Sequence, residues 1–189
     1  LRTPAFLSIG NLRDILLNIS ILVIVSLAQM MVIITRGIDL SVGSMIGLTA
    51  MMTSFTVVAF PDMPVVLALP LGMALGAVLG GLNGLIIAYG QVPPIIATLG
   101  TLSVYRGLIF LYSNGQWINA YEMPPGFKEL SKGIPLGVPN LILFAAVVAL
   151  GVFLFLKYTR TGRDIYAVGE DRLPHVVGAR GVEPAAPCK

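Results

Sequence analysis

The sequence predicts an all-α fold, a polytopic bundle of about five membrane-spanning helices, on three observations. The 189-residue chain is 56% hydrophobic and 11% charged, whereas soluble domains carry about 25% charged residues. Its mean hydropathy is +0.89. Its uncharged stretches are long enough to cross a hydrocarbon core, which takes about 20 residues of helix. The lipid bilayer is therefore the first partner. A formal charge of +3 is too small and too scattered to suggest nucleic acid. Cys188 is the only cysteine, which excludes an internal disulfide, and no Cys or His cluster has metal-ligand spacing. The one histidine, His175, stands in a polar segment and reads as a solvated residue rather than a ligand.

Each span has a sequence boundary. The first, about 12–35, follows Asn11-Leu12-Arg13-Asp14, where Asn11 or Asp14 is placed to cap a helix start. The second, about 41–60, begins at Ser41 and ends before Pro61-Asp62. No charge occurs from Met63 to Tyr105, which is too long for one crossing. Pro93-Pro94 divides this stretch, because tandem prolines disfavour helix at the preceding residue and remove two backbone donors. Spans are thus expected at about 65–89 and 95–113. The fifth, 140–158, ends in Lys157-Tyr158-Thr159-Arg160, an aromatic and basic flank of the kind found at a membrane interface.

Orientation follows from the cations. Lys157, Arg160, Arg163, Arg172 and Arg180 all lie at the end of span five or beyond it, and Arg36 lies between spans one and two. Basic short segments favour the cytoplasmic side. The segments 36–40 and 90–94 are then inside, and 61–64 and 114–138 outside. Residue 1 also falls outside, so at least one upstream span is expected.

Between spans one and two, Arg36 and Asp39 interrupt the apolar sequence and must lie at a membrane surface or face a wet protein interior; either placement points toward transport. Three uses are open to Asp39: pairing with Arg36, capping the start of span two, or setting a reentrant break. Arg106 falls within span four, where a guanidinium must face other helices or a water-filled cavity. A buried structural anchor and a pathway-lining residue are equal readings of it. Gln29, Asn83, Thr98, Thr101 and Ser103 are placed to hydrogen-bond across helices around such a path, although for any one of them simple helix-to-helix adhesion is the plainer reading. Gly72, Gly76, Gly80 and Gly84 form a seam on span three, repeated by Gly43 and Gly47 on span two. Packing within the bundle is the plainer account of it, and a subunit interface the other. No catalytic constellation or phosphate-binding loop is present, so the chain is not expected to be an enzyme.

Four motifs in order, GIDLSVG at 37–43, VPPIIATLGT at 92–101, YRGL at 105–108 and TRTGRDIYAVG at 159–169, closely resemble the permease subunits of bacterial ABC-type sugar importers of the ribose, xylose, galactose and rhamnose type. The resemblance covers roughly residues 6–169. The middle loop, NGQWINAYEMPPGFKEL, looks most like the rhamnose or autoinducer-2 branch. The resemblance implies a partial transmembrane permease domain over 1–158, a cytoplasmic ATPase-coupling loop over 159–183 and an atypical tail over 184–189.

It further implies a multi-pass protein of the bacterial inner membrane that pairs with a second permease copy or paralogue. A cytoplasmic double-domain ATPase would hold the ATP, so no cofactor is expected on this chain, and a periplasmic sugar-binding protein would deliver substrate to the 114–138 loop. Gly37, Ile38, Asp39, Leu40, Ser41 and Gly43 would lie near the translocation path. Thr159, Arg160, Gly162, Arg163, Ile165, Tyr166, Ala167 and Gly169 would transmit the ATPase's motion. The plain alternative for 159–169 is a surface helix lying against the bilayer. After Gly169 the sequence departs from the family pattern and its further spans are missing, so a truncation or frame change near Glu170 is expected. Two other functional readings are weaker. A secondary transporter calls for inverted repeats, of which no second copy is seen. A membrane assembly protein without a path would account for the glycine seam.

Overall fold

A computed structural model describes residues 8–119, 121–133 and 138–171. His175, Cys188, Arg172, Arg180 and the segments 172–183 and 184–189 lie outside the described residues. Among the described residues seven α-helices follow in order: α1 Ile9–Ile34, α2 Val42–Ala59, α3 Ala68–Gly90, α4 Pro94–Ser113, α5 Pro125–Lys132, α6 Asn140–Tyr158 and α7 Arg160–Asp171. No strand occurs among the described residues. Among the described residues, five helices are long and apolar enough to cross a membrane: α1, α2, α4, α6, and α3 taken with the short 3-10 turn Val65–Leu67 that leads into it.

The helix ends follow local chemistry. The cap of α1 is Ser8, whose hydroxyl accepts from the Asn11 amide at 3.3 Å. It supplants Asn11 and Asp14 because Ser8 has the extended backbone (ψ 144°) that a cap requires. At the other end the Gly37 amide reaches back to Val32 O and the Arg36 amide to Ile33 O, the paired bonds of a Schellman close. This forces Arg36 into the left-handed region, φ 59°, which costs a non-glycine residue about 1–2 kcal/mol. The Arg36 cation at a helix C-terminus partly offsets that cost through the helix dipole. Gln91 and Asn114 end α3 and α4 in the same conformation, and Pro94 opens α4 at a position where its missing N–H has no helical partner to lose.

Two ends of the bundle are distinct. Residue pairs 40/98, 47/109 and 55/112 run in the same sense along α2 and α4, so these helices are parallel. Pairs 41/83 and 53/72 run in opposite senses, so α3 is antiparallel to α2. One end therefore gathers 36–41 and 91–98. The other gathers Val57, Ala68 and Met123, with Met63, Ile118 and Phe127 packed on them. Phe127 belongs to α5, a helix not foreseen in the 114–138 loop: it is only eight residues long, and its start at Pro124-Pro125 reads equally as a turn.

The remaining spans form a second group. α1 packs along α6, and α7 lies against both. Residues 159–171 are thus a helix rather than a loop, turned at Thr159, whose hydroxyl donates to Phe155 O at 2.7 Å and accepts from the Gly162 amide at 3.0 Å.

The principal core is Leu48, Leu79 and Tyr105, joined by Met45, Met52 and Ile109, where α2, α3 and α4 meet. Outside it, large apolar side chains are exposed along every span, as hydrocarbon contact permits. Of the glycine seam, only Gly72 meets a neighbouring helix, with Thr53 Oγ1 3.6 Å from where a Cβ would stand; Gly76, Gly80 and Gly84 meet nothing within 4 Å. An open groove of about 540 Å³ runs beside Gly72 and Gly76. On its wall the buried hydroxyl oxygens of Thr49 and Thr53 have no hydrogen-bond partner among the described residues.

Leu48, 2% exposed, and Leu111, 79% exposed, separate core from periphery. Leu48→Ala should destabilise by about 2 kcal/mol or more and Leu111→Ala by less than about 0.5 kcal/mol, measured by reversible unfolding in mixed detergent micelles.

Candidate functional site

The most buried side chains in the described structure are two hydroxyls, Ser41 at 0% and Thr98 at 1% exposure. Both serve the segment between α1 and α2. Asp39 turns its carboxylate onto Ser41: Oδ1 accepts from the Ser41 amide at 2.8 Å and from Ser41 Oγ at 2.7 Å. Ser41 Oγ in turn accepts from Asn83 Nδ2 on α3 at 2.7 Å. Tyr105 Oη on α4 lies within donating distance of both Asn83 Oδ1, 3.1 Å, and Leu79 O, 2.9 Å. Thr98 Oγ1 accepts from the Leu40 amide at 3.2 Å and faces the Ile38 carbonyl at 3.4 Å. Gln29 Nε2 donates to Asp39 O at 3.3 Å. Four spans are thereby tied to one five-residue stretch, 37–41.

This decides among the three uses of Asp39. Its carboxylate closes the turn ahead of α2 and satisfies the Ser41 amide, while no ion pair joins it to Arg36 among the described residues. Gly37 is buried, with Val32 Cγ1 3.2 Å from where its Cβ would stand. Ile38 and Leu40 point outward, and Gly43 stands exposed on the first turn of α2.

The predicted polar residues do not gather around one path. Gln29, Asn83 and Thr98 converge on 37–41. Thr101 lies beside them but bonds back to Thr98 O, and Ser103 is exposed and bonds back to Leu99 O. Arg106 is elsewhere: it is exposed rather than buried, and it lines a separate cavity with Met51, Ile109, Phe110, Ser113, Gly115 and Trp117. A single helix turn explains the split, because neighbours in an α-helix point about 100° apart and Tyr105 occupies the inward face. Tyr105, not among the predicted polar residues, is a full member of the network. The spacing of Thr98, Thr101 and Tyr105, at i, i+3 and i+7, places all three on one face and is the signal that identifies it.

At the same end of the bundle α7 is seated by two glycines two turns apart. A Cβ on Gly162 would run into the Phe155 carbonyl oxygen and lie 2.7 Å from Leu156 Cα, and one on Gly169 would run into the Ile34 carbonyl oxygen. The helix thus rests by its own backbone on the ends of α6 and α1. Ile165 is half-buried on this face, while Arg160, Arg163, Asp164, Ala167 and Glu170 are exposed. Tyr166 borders a groove with Leu27, Met30, Leu156 and Lys157. The Lys157 ammonium lies 5.3 Å from the Phe153 ring centre and 5.4 Å from that of Tyr158, so it bridges an apolar span to a wet surface.

In the connection between α4 and α5, Asn119 organises a tight turn. Its side-chain amide donates to Glu122 Oε1 at 3.1 Å and its backbone amide to Oε2 at 3.2 Å. These bonds favour the charged carboxylate and hold Glu122 below the usual glutamate range.

A family model described as the permease component of branched-chain amino acid transport systems matches residues 11–185. The Autoinducer 2 import system permease protein LsrC of Enterobacter sp. (strain 638) is 39% identical over 171 residues, covering 89% of this chain and 48% of that protein. The LsrC protein of Salmonella typhimurium (strain LT2) is 37% identical over 166 residues, with 88% and 47% covered. The Ribose import permease protein RbsC of Escherichia coli (strain K12) is 37% identical over 169 residues, with 88% and 52% covered. The chain spans about half the length of the curated relatives it matches. No solved structure matches it.

Asn83→Ala removes one hydrogen bond each from Ser41 Oγ and Tyr105 Oη, which keep Asp39 Oδ1 and Leu79 O as partners, so it should cost about 1–3 kcal/mol, whereas Tyr105→Phe should cost about 1 kcal/mol; unfolding in micelles ranks the two. For Glu122 the sign is that of a depressed acid: its turn is intact above the ordinary glutamate pKa and loosens only as pH falls through the lower folded value. Carboxyl NMR should find its midpoint below the usual range, and Asn119→Ala should raise it.

Proposed function

Since the chain belongs to the family of permease components of which the branched-chain amino acid transport systems are the described type, we propose that it is a membrane-spanning subunit of an ATP-driven, binding-protein-dependent importer. Its cargo is a monosaccharide or a related small polar solute, carried by alternating access. The relatives that favour this cargo are import permeases for ribose and for autoinducer 2.

One structural observation carries the mechanism. α7 has no side chain of its own at two contacts with the bundle, since Gly162 and Gly169 bring backbone against backbone. Such a seat has little slack, because packed interiors shift between discrete arrangements rather than deform continuously. A push on the exposed Arg160, Arg163, Asp164 and Ala167 would pass directly to the ends of α1 and α6. The segment 37–41 begins three residues beyond Ile34, so the motion would reach the point where α1, α2, α3 and α4 are tied. In this reading α7 is the coupling element for a cytoplasmic double-domain ATPase, which binds the nucleotide.

The sidedness of the reading rests on charge. Arg36, Lys157, Arg160 and Arg163 lie at the end formed by 36–41 and α7, so that end faces the cytoplasm of a bacterial inner-membrane protein. The opposite end, with α5 and the 114–124 connection, then meets a periplasmic binding protein. A second permease copy or paralogue completes the path.

Affinity capture of the tagged chain from native membranes should retain an ATP-hydrolysing partner with two nucleotide domains. Arg163→Ala should weaken capture by at least about tenfold, as expected for a charged contact at an interface. Gly162→Val should abolish it by lifting α7 from α6. Capture unchanged by both substitutions would remove α7 from the coupling role.

A further inference from the structure

Arg106 presents a physical problem that the rest of the bundle does not solve. It lies seven residues before the end of α4 at Ser113, about 10 Å along the axis at 1.5 Å per residue, which is well inside a hydrocarbon layer about 30 Å thick. It is exposed, and no carboxylate among the described residues pairs with it. A guanidinium at that depth is costly against lipid and belongs against other helices or in a water-filled or ligand-filled space. Such a space is present: a cavity of about 330 Å³, lined by Arg106, Phe110, Ser113 and Trp117 with Met51 and Ile109 behind them.

The lining defines what fits. Arg106 offers a fork of N–H donors that suits hydroxyl oxygens as well as anions. Phe110 and Trp117 are 65% and 74% exposed and offer broad apolar faces, and the Trp117 indole adds a donor. Among the described residues no acidic group lines the cavity, so the ammonium of a free amino acid would find no carboxylate there. An anion would have to give up its water for one cation among apolar walls. A neutral ring with hydroxyls on its edge and C–H groups on its face satisfies both halves of the lining.

We infer that the Arg106–Phe110–Trp117 cavity is a binding station for a neutral polyhydroxylated solute of monosaccharide size, at the end of the bundle opposite α7. The assignment rests on the importer reading for its place on a transport path. Arg106 binds the hydroxyl edge, and Trp117 covers the ring.

Trp117 is the only tryptophan of the chain, so a solute that covers it changes its emission with no other indole in the signal. The chain in nanodiscs of zwitterionic and anionic phospholipid is titrated with D-ribose, L-rhamnose, L-leucine and inorganic phosphate. A saturable change with at least one of the sugars, in the millimolar range, is expected, with none for leucine or phosphate. Arg106→Ala should raise the half-saturation at least about tenfold, the loss typical of a hydrogen bond to a charged group. Arg106→Lys, which keeps the charge without the fork, should fall between them, and it carries the test should the alanine variant lose its helical circular dichroism. Silence toward both sugars, equal response in wild type and variants, or an equal response to leucine or phosphate overturns the station. Retained ATPase capture alongside a silent Trp117 overturns the station alone and leaves the importer reading standing.

Discussion

Ser41 Oγ joins the stretch 37–41 to α3, donating to Asp39 Oδ1 and accepting from Asn83 Nδ2. Its importance comes from the solvent. Within a bilayer no water is at hand to satisfy an interrupted backbone, so irregular chain at that depth must find its partners inside the protein. The stretch 37–41 meets the same demand through burial, since Ser41 is fully enclosed. Its amides and carbonyls at Ile38, Asp39, Leu40 and Ser41 are met by Thr98, Gln29 and Asp39 itself. Because those partners stand on α1 and α4, with Asn83 on α3, closing the turn also sets the mutual position of four spans. The apolar cluster of Leu48, Leu79 and Tyr105 sits one layer away and shares Tyr105 with the network.

The same solvent argument separates two kinds of polar residue. Ser41, Thr98 and Asn83 are almost fully buried and fully engaged, so they hold helices together and leave little capacity for a passing solute. Arg106 is exposed and unengaged by any carboxylate among the described residues. Polarity inside a span is therefore not one property. A residue whose bonds are satisfied by neighbouring helices acts as adhesion, whereas one left open needs something beyond this bundle to satisfy it. The glycine face of α3 is a milder instance: Gly76, Gly80 and Gly84 offer a close approach that no described helix uses, beside two threonine hydroxyls without partners among the described residues.

Glycine acts differently in α7. Gly162 and Gly169 are not there for unusual backbone angles, since both are helical. They are there because any Cβ would collide with the carbonyl oxygens of Phe155 and Ile34. The amphipathic pattern of 159–169 does not reveal this, as it shows only that Ile165 belongs to one face and the charges to another. The identity of the surface beneath depends on how α1 and α6 end, and those helices are separated in sequence by more than a hundred residues.

Much of the architecture was legible in the residues alone. Uncharged runs and proline pairs mark the five spans, because hydrocarbon thickness and the missing proline donor act locally and independently of any partner. The all-α class follows from the same source. Helix α5 was not legible because its eight residues offer a single i, i+3 apolar pair, Phe127 and Leu130, and the cap at Ser8 was not because a lone hydroxyl carries no pattern. The convergence of Gln29, Asn83 and Thr98 on 37–41 was foreseeable in kind but not in partners. Spacing puts Tyr105 on one face with Thr98 and Thr101, but that this face and not that of Arg106 turns inward was decided by the rotation of α4 about its axis. Composition and spacing report what each segment can do by itself. Which face a helix turns inward, and so which of two adjacent polar residues becomes a structural tie and which is left open, is set by packing against segments distant in the chain.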